Sequence, residues 1–328
     1  MSLVPFLAAA LVTFQPDISL PSTAAGQQPS AAESIQDEPV DLGEILVEGR
    51  SLDKLVRNFV SEVAAPNEGR GLARWDRRLC VGVVNLRRDT AEYIADRIST
   101  VAEDLGIAAG NPGCQPNVLV LATSDARALA RILVDERPRA FRRGGSGMDQ
   151  GRTALREFVE TDKPVRWWQV SLPVDSETGE VATSIPGFCR NPCGSEVDHT
   201  NMDYAPVMKG FAASRLRTQI VDQFRQTMII VEIDRLGHLT VPQLADYLAM
   251  VSMAQIDPQA ETSNYASILN VVDDHEQYTG LTDWDRAYLA GLYSADQSLL
   301  NRRANSSEVS RSILTAHREL REIGEAVQ

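Results

Sequence analysis

Apolar residues return every three or four positions at Leu52, Leu55, Val56, Phe59, Val60 and Val63, the spacing of one buried helix face. A short apolar run follows, Leu79-Cys-Val-Gly-Val-Val-Asn85, and reads as a strand. Helical spacing resumes from Thr90 to Leu105, with Tyr93, Ile94, Ile98, Val101, Ala102 and Leu105 on one face and Gly106 placed to end the helix. A second run, Asn117-Val-Leu-Val-Leu-Ala122, predicts another strand, and about Ser124 to Val134 a further helix. Strand, helix, strand, helix in that order predicts a layered fold of mixed class. The expectation is an α+β protein, a small mixed sheet packed with helices.

Residues 136–152 break the pattern with a basic, glycine-rich stretch that lacks phosphate-loop spacing and reads as a solvated connection. Val165-Arg-Trp-Trp-Gln-Val-Ser-Leu172 predicts a strand, and neighbouring tryptophans in a strand point to opposite faces. Asp175-Ser-Glu-Thr-Gly179 is a turn sequence, with Val181–Ile185 returning as a hairpin. Residues 186–210 read as irregular. Ala213–Arg225 predicts a helix, and Thr227-Met-Ile-Ile-Val-Glu-Ile-Asp234 a strand apolar enough to be central. Gly237 turns the chain, Thr240 can cap, and Pro242 suits the first turn of a helix spanning 241–256. Near the C-terminus, Val309, Ile313, Ala316, Leu320 and Ile323 share one face of a helix from Ser307 to Ala326, which would dock on the domain or on a partner.

Composition narrows the function classes. The chain has 328 residues and a net charge of −13, which excludes general binding to nucleic-acid backbones. Ser2–Phe14 is apolar but shorter than the roughly 20 residues a membrane-spanning helix needs. It suits the apolar core of a signal peptide, with small residues at Ser22–Ala25 for cleavage, although no basic residue precedes it. A disordered apolar tail or an uncleaved anchor is the alternative. Residues 26–50 read as a disordered linker. Of the four cysteines, Cys80 begins one strand and Cys114 precedes the next, so their sulfurs meet if those strands are neighbours. Cys189 and Cys193 can close a small loop. Two pairs behind a leader favour disulfides in an oxidising compartment over four unrelated thiols.

The helix at 241–256 carries one charged residue, Asp246, among apolar neighbours on nearly every side. A buried carboxylate must be paired, hydrogen-bonded or protonated, which makes Asp246 the titratable group most in need of explanation. Strand 227–234, this helix, Ser267-Ile-Leu-Asn270 and Leu281-Thr-Asp-Trp-Asp-Arg-Ala-Tyr-Leu289 together resemble the second half of a zincin-like, metallopeptidase-fold domain. Secreted bacterial proteins, alphaproteobacterial ones among them, are the resembling group. The resemblance covers about residues 225–295. In zincins a strand leads into a helix bearing HExxH, whose two histidines face one metal and whose glutamate activates water. That motif would fall on Ala245-Asp-Tyr-Leu-Ala249, with alanine at both histidine positions and Asp246 at the glutamate. The resemblance therefore implies the fold without its metal.

Other chemistry has few anchors. His199, His238, His275 and His317 are too far apart in sequence to chelate from one element. His238 and His275 flank the helix and are candidate metal ligands together with Asp246. Glu232 and Asp234, two apart on the expected strand, are candidate paired acids. No Gly-x-Ser-x-Gly elbow and no dinucleotide fingerprint occur. The sequence thus predicts a signal peptide at 1–25, a linker at 26–50, one zincin-like domain at 51–300 and a C-terminal amphipathic helix at 301–328. The expected protein is periplasmic or secreted and binds no nucleic acid or cofactor. After cleavage it is not an integral membrane protein. It would serve as a non-catalytic binding or envelope-assembly module, its partner an envelope protein or peptide met at a cleft floored by the 241–256 helix. The alternatives are a carboxylate- or metal-dependent hydrolase centred on Asp246 and a structural envelope protein.

Overall fold

In a computed structural model of the chain, the described residues are 51–67, 70–141, 150–184, 206–207, 217–299 and 302–326. The expected leader at 1–25, the expected linker at 26–50, Cys189, Cys193 and His199 lie outside them. Strands β1 (Val81–Val84), β2 (Val118–Thr123), β3 (Val165–Asp175) and β6 (Ile220–Glu232) form one sheet in the order β1-β2-β6-β3. The first three in that order are mutually parallel, and β3 runs antiparallel along the edge of β6. A separate antiparallel pair joins β4 (Thr183–Ser184) to β5 (Pro206–Val207). The class is α+β, with a mixed sheet between helices.

The sheet is buried on both faces, and β6 shows why it reads as a nearly continuous apolar run. Ile229 and Val231 face one core with Val118, Val120, Val165 and Trp167. Met228 and Ile230 face the other with Trp168 and Val170. The first core is covered by α1 (Leu52–Glu62), α2 (Arg88–Asp104), α6 (Val241–Met253), α7 (Asp283–Ser294) and α8 (Arg302–Ala326). The second is covered by α3 (Ala126–Glu136), α4 (Pro138–Phe141) and α5 (Gly151–Glu160). Both tryptophans are thus core residues on opposite faces. Each indole N–H finds a carbonyl, Trp167 that of Ile256 at 3.0 Å and Trp168 that of Phe141 at 2.9 Å.

Local signals explain most boundaries. Asp125 caps α3 by accepting from the Ala128 amide at 2.8 Å. Thr240 and Gln243 form a reciprocal capping box at the start of α6, and Thr282 with Asp285 does the same for α7. The turn after β3 is held by Asp175 Oδ1, which accepts from the Glu177 and Thr178 amides, and Gly179 sits at φ +70°. The neighbouring β1 and β2 bring Cys80 and Cys114 together as a disulfide with Cα atoms 6.1 Å apart.

Two expectations change and one open alternative is decided. The helix read over 213–225 is not formed where the chain is described, because Ile220–Arg225 belong to β6, with Ile220–Phe224 paired to Ser171–Asp175 of β3 and Arg225 at the register shift. The stretch read as a loop at 136–152 contains α4 and the start of α5. The C-terminal helix docks on its own domain, with Val309, Ile313 and Ala316 buried against α7 and α1.

Candidate functional site

Helix α6 leaves β6 through the 3-10 turn Ile233–Arg235 and runs beside α2. Every residue from Gln243 to Met253 is buried. The helix therefore offers no open face, and the cleft expected above it is filled. Ala245 and Ala249, the positions that would carry histidines in a metallopeptidase helix, have no solvent exposure at all.

Asp246 has two partners. Its Oδ1 accepts from Nε of Arg97 on α2, and its Oδ2 accepts from the Leu281 amide at 2.8 Å. This bond raises the Arg97 guanidinium above its ordinary range, outweighing the partial burial that acts against it. The approach is close enough that a Cβ on Gly280 would lie 2.5 Å from Asp246 Oδ2, so a side chain there would displace this carboxylate. With an arginine on one oxygen and an amide on the other, the carboxylate joins α2, α6 and the loop before α7. Tyr247 beside it is buried too, and burial pushes its phenol above the ordinary range.

Glu232 and Asp234 do not pair. Strand β6 ends at Glu232, whose Oε2 accepts from the Ala126 amide at 3.3 Å at the start of α3. Asp234 lies beyond it in the 3-10 turn, exposed. The alternation that would put both on one strand face is lost where the chain turns helical.

His238 and His275 are brought together, with ring centroids 5.1 Å apart at an interplanar angle of 67°. The Nε2 of His238 is 3.1 Å from the Val272 carbonyl oxygen. Gln243 fastens the neighbouring loop to α6, its Nε2 donating to the carbonyls of His275 at 2.6 Å and Tyr278 at 2.7 Å. Asp246 is engaged elsewhere and does not join the histidines. Among the described residues no group of three or more His, Cys, Asp or Glu side chains stands in an arrangement that could hold a metal ion.

Two positioning residues escaped the sequence reading. Arg97 was visible as an arginine three positions after Ile94 and four before Val101, on the apolar face of α2. Nothing local marks Gln243 as more than a cap. Among the described residues, no helix is long and apolar enough to cross a membrane. No family model, no curated protein and no solved structure matches this chain.

Proposed function

We propose that this chain is an exported, non-catalytic binding or envelope-assembly module built on a zincin-like frame. The observation that carries the reading is the state of α6. A helix entered from the sheet's long central strand has alanine at both would-be ligand positions, and its one carboxylate is bonded to Arg97 and to the Leu281 amide. The order of β6, α6, the 3-10 turn Ile268–Asn270 and α7 supports the zincin resemblance. The Cys80–Cys114 disulfide supports an oxidising compartment, because such bonds are rare in the reducing cytosol. The hydrolase alternative draws little support from Asp246, which is bonded to Arg97 and the Leu281 amide, or from Glu232 and Asp234, which do not share a strand face.

The test has two parts. The full chain, produced with its N-terminal segment in a Gram-negative host, is expected in the periplasmic fraction with Cys80 and Cys114 oxidised. Recovery in the cytosol with both thiols free would sink the export reading. Purified protein and Asp246→Asn are then assayed on peptide, ester and glycoside substrates. Neither is expected to turn over any of them. Turnover by the parent that disappears in a folded Asp246→Asn variant would overturn the non-catalytic reading.

A further inference from the structure

We propose that His238 and His275 form a two-imidazole site for a divalent transition-metal ion of the zinc and copper class. The inference uses these side chains alone and is independent of the zincin and export readings.

The spacing fits. Zinc–imidazole bonds of about 2.0–2.1 Å put the metal roughly 3.2 Å from the centre of a ligating ring, so two rings at a near-tetrahedral angle stand about 5 Å apart. The observed separation is 5.1 Å. Edge-to-face aromatic contacts share that range, so distance alone does not decide. The hydrogen bond of His238 adds a second observation. A carbonyl oxygen only accepts, so the Nε2 facing Val272 carries the proton, and in the neutral ring Nδ1 is left with a free lone pair. Metal-binding histidines are commonly held in this way, one ring nitrogen donating to a backbone carbonyl while the other binds the ion.

The site is also held in place. His238 lies two residues before the capping threonine of α6, and Gln243 of the same capping box clamps the backbone of His275. The backbones of both histidines are thereby tied to one helix end. Their surroundings favour a cation. Asp273, Asp274 and Glu276 flank His275, and no lysine or arginine occurs between Arg235 and Arg286. His238 is exposed and His275 half-buried, so water can complete the coordination. Two imidazoles select zinc, copper or nickel over calcium or magnesium, which prefer oxygen ligands.

The experiment uses the untagged, oxidised full chain stripped of metal. Zinc and copper ions are titrated by calorimetry into the parent, His238→Ala, His275→Ala and, as a control, His317→Ala on α8. Outer-shell partners alone are worth about 10–100-fold in metal affinity, so losing one of two direct ligands weakens binding by at least about tenfold. One ion per chain, that loss in each of the first two variants, no change in the control and a two-imidazole X-ray absorption signature are expected. His275→Gln, which keeps a polar side chain, replaces His275→Ala if the latter fails to fold. No binding at millimolar metal, or affinity unchanged in folded variants of both histidines, would overturn the proposal.

Discussion

At Asp246 a single carboxylate in an apolar helix holds Arg97 of α2 and the amide of Leu281 at once. Leaving a buried acceptor without its partner costs about 1–3 kcal/mol, and more when the group is charged. Arg97→Ala is therefore expected to lower the free energy of unfolding by about 1–3 kcal/mol in urea, moderated because the arginine side chain is 26% exposed. A variant within about 0.5 kcal/mol of the parent would mean that the pair contributes nothing beyond ordinary surface substitutions. Asp222 on β6 makes a different case. Its Oδ1 lies 3.2 Å from Arg70 Nε, both side chains being buried. Burial nonetheless pushes the carboxyl from 3.8 up to about 6, against the pull of Arg70 and of the Gly71 amide. A carboxyl with a raised folded-state pKa binds its proton more tightly when folded. Its favourable contribution is full below about pH 4 and is lost as pH rises through about 6. Unfolding measured at pH 4 and pH 7 should show Asp222→Asn gaining on the parent by up to about 3 kcal/mol at the higher pH. An identical difference at both pH values would show that Asp222 does not titrate in this window.

Elements differ in how plainly the sequence announces them. Helix α6 was legible because Thr240 and Pro242 mark its start and an apolar run fills it. Helices α1 and α2 were legible from a single buried stripe each. The first half of β6 was not. Leu216, Ile220, Val221 and Phe224 stand at helical intervals, and Asp222 and Gln223 between them look solvent-facing. They are buried because distant residues answer them, Arg70 for Asp222 and Asp76 for Gln223, and because β3 supplies the ladder. Tertiary partners thus override a local pattern. The candidate site divides in the same way. The anomaly of Asp246 was visible in the sequence, whereas the meeting of His238 and His275 depends on a loop that Gln243 folds back. The Cys80–Cys114 bond was conditionally legible, since it required β1 and β2 to be neighbours. It closes a loop with a sequence separation of 34. In the chain-entropy account such a bond stabilises by about 4 kcal/mol. Cys80→Ala paired with Cys114→Ala should lower the unfolding free energy by about that amount, and a loss below roughly 1 kcal/mol would show that the denatured chain already keeps these strands together.

At the scale of the whole molecule, the question left by the sequence is whether α8 belongs to this domain or to a partner. The packing favours the domain. Gly291 of α7 lies so close beneath α8 that a Cβ there would meet the backbone of Ile313 at 2.4 Å. Val309, Ile313 and Ala316 are buried in the same core as Phe59 of α1 and Tyr288 of α7. Fully burying a large aliphatic side chain is worth about 1.5–3 kcal/mol. Val309 and Ile313 alone therefore account for roughly 3–6 kcal/mol, against a total stability of about 5–15 kcal/mol for an ordinary domain. Cutting the chain after Asn301 would also uncover the faces of α1 and α7 that α8 now protects. The truncated protein is expected to lose cooperative unfolding by circular dichroism and to aggregate on size-exclusion chromatography. An association helix would behave otherwise, its removal leaving a folded domain whose only change is its oligomeric state. That outcome would return α8 to a partner and favour the structural-envelope reading of the chain.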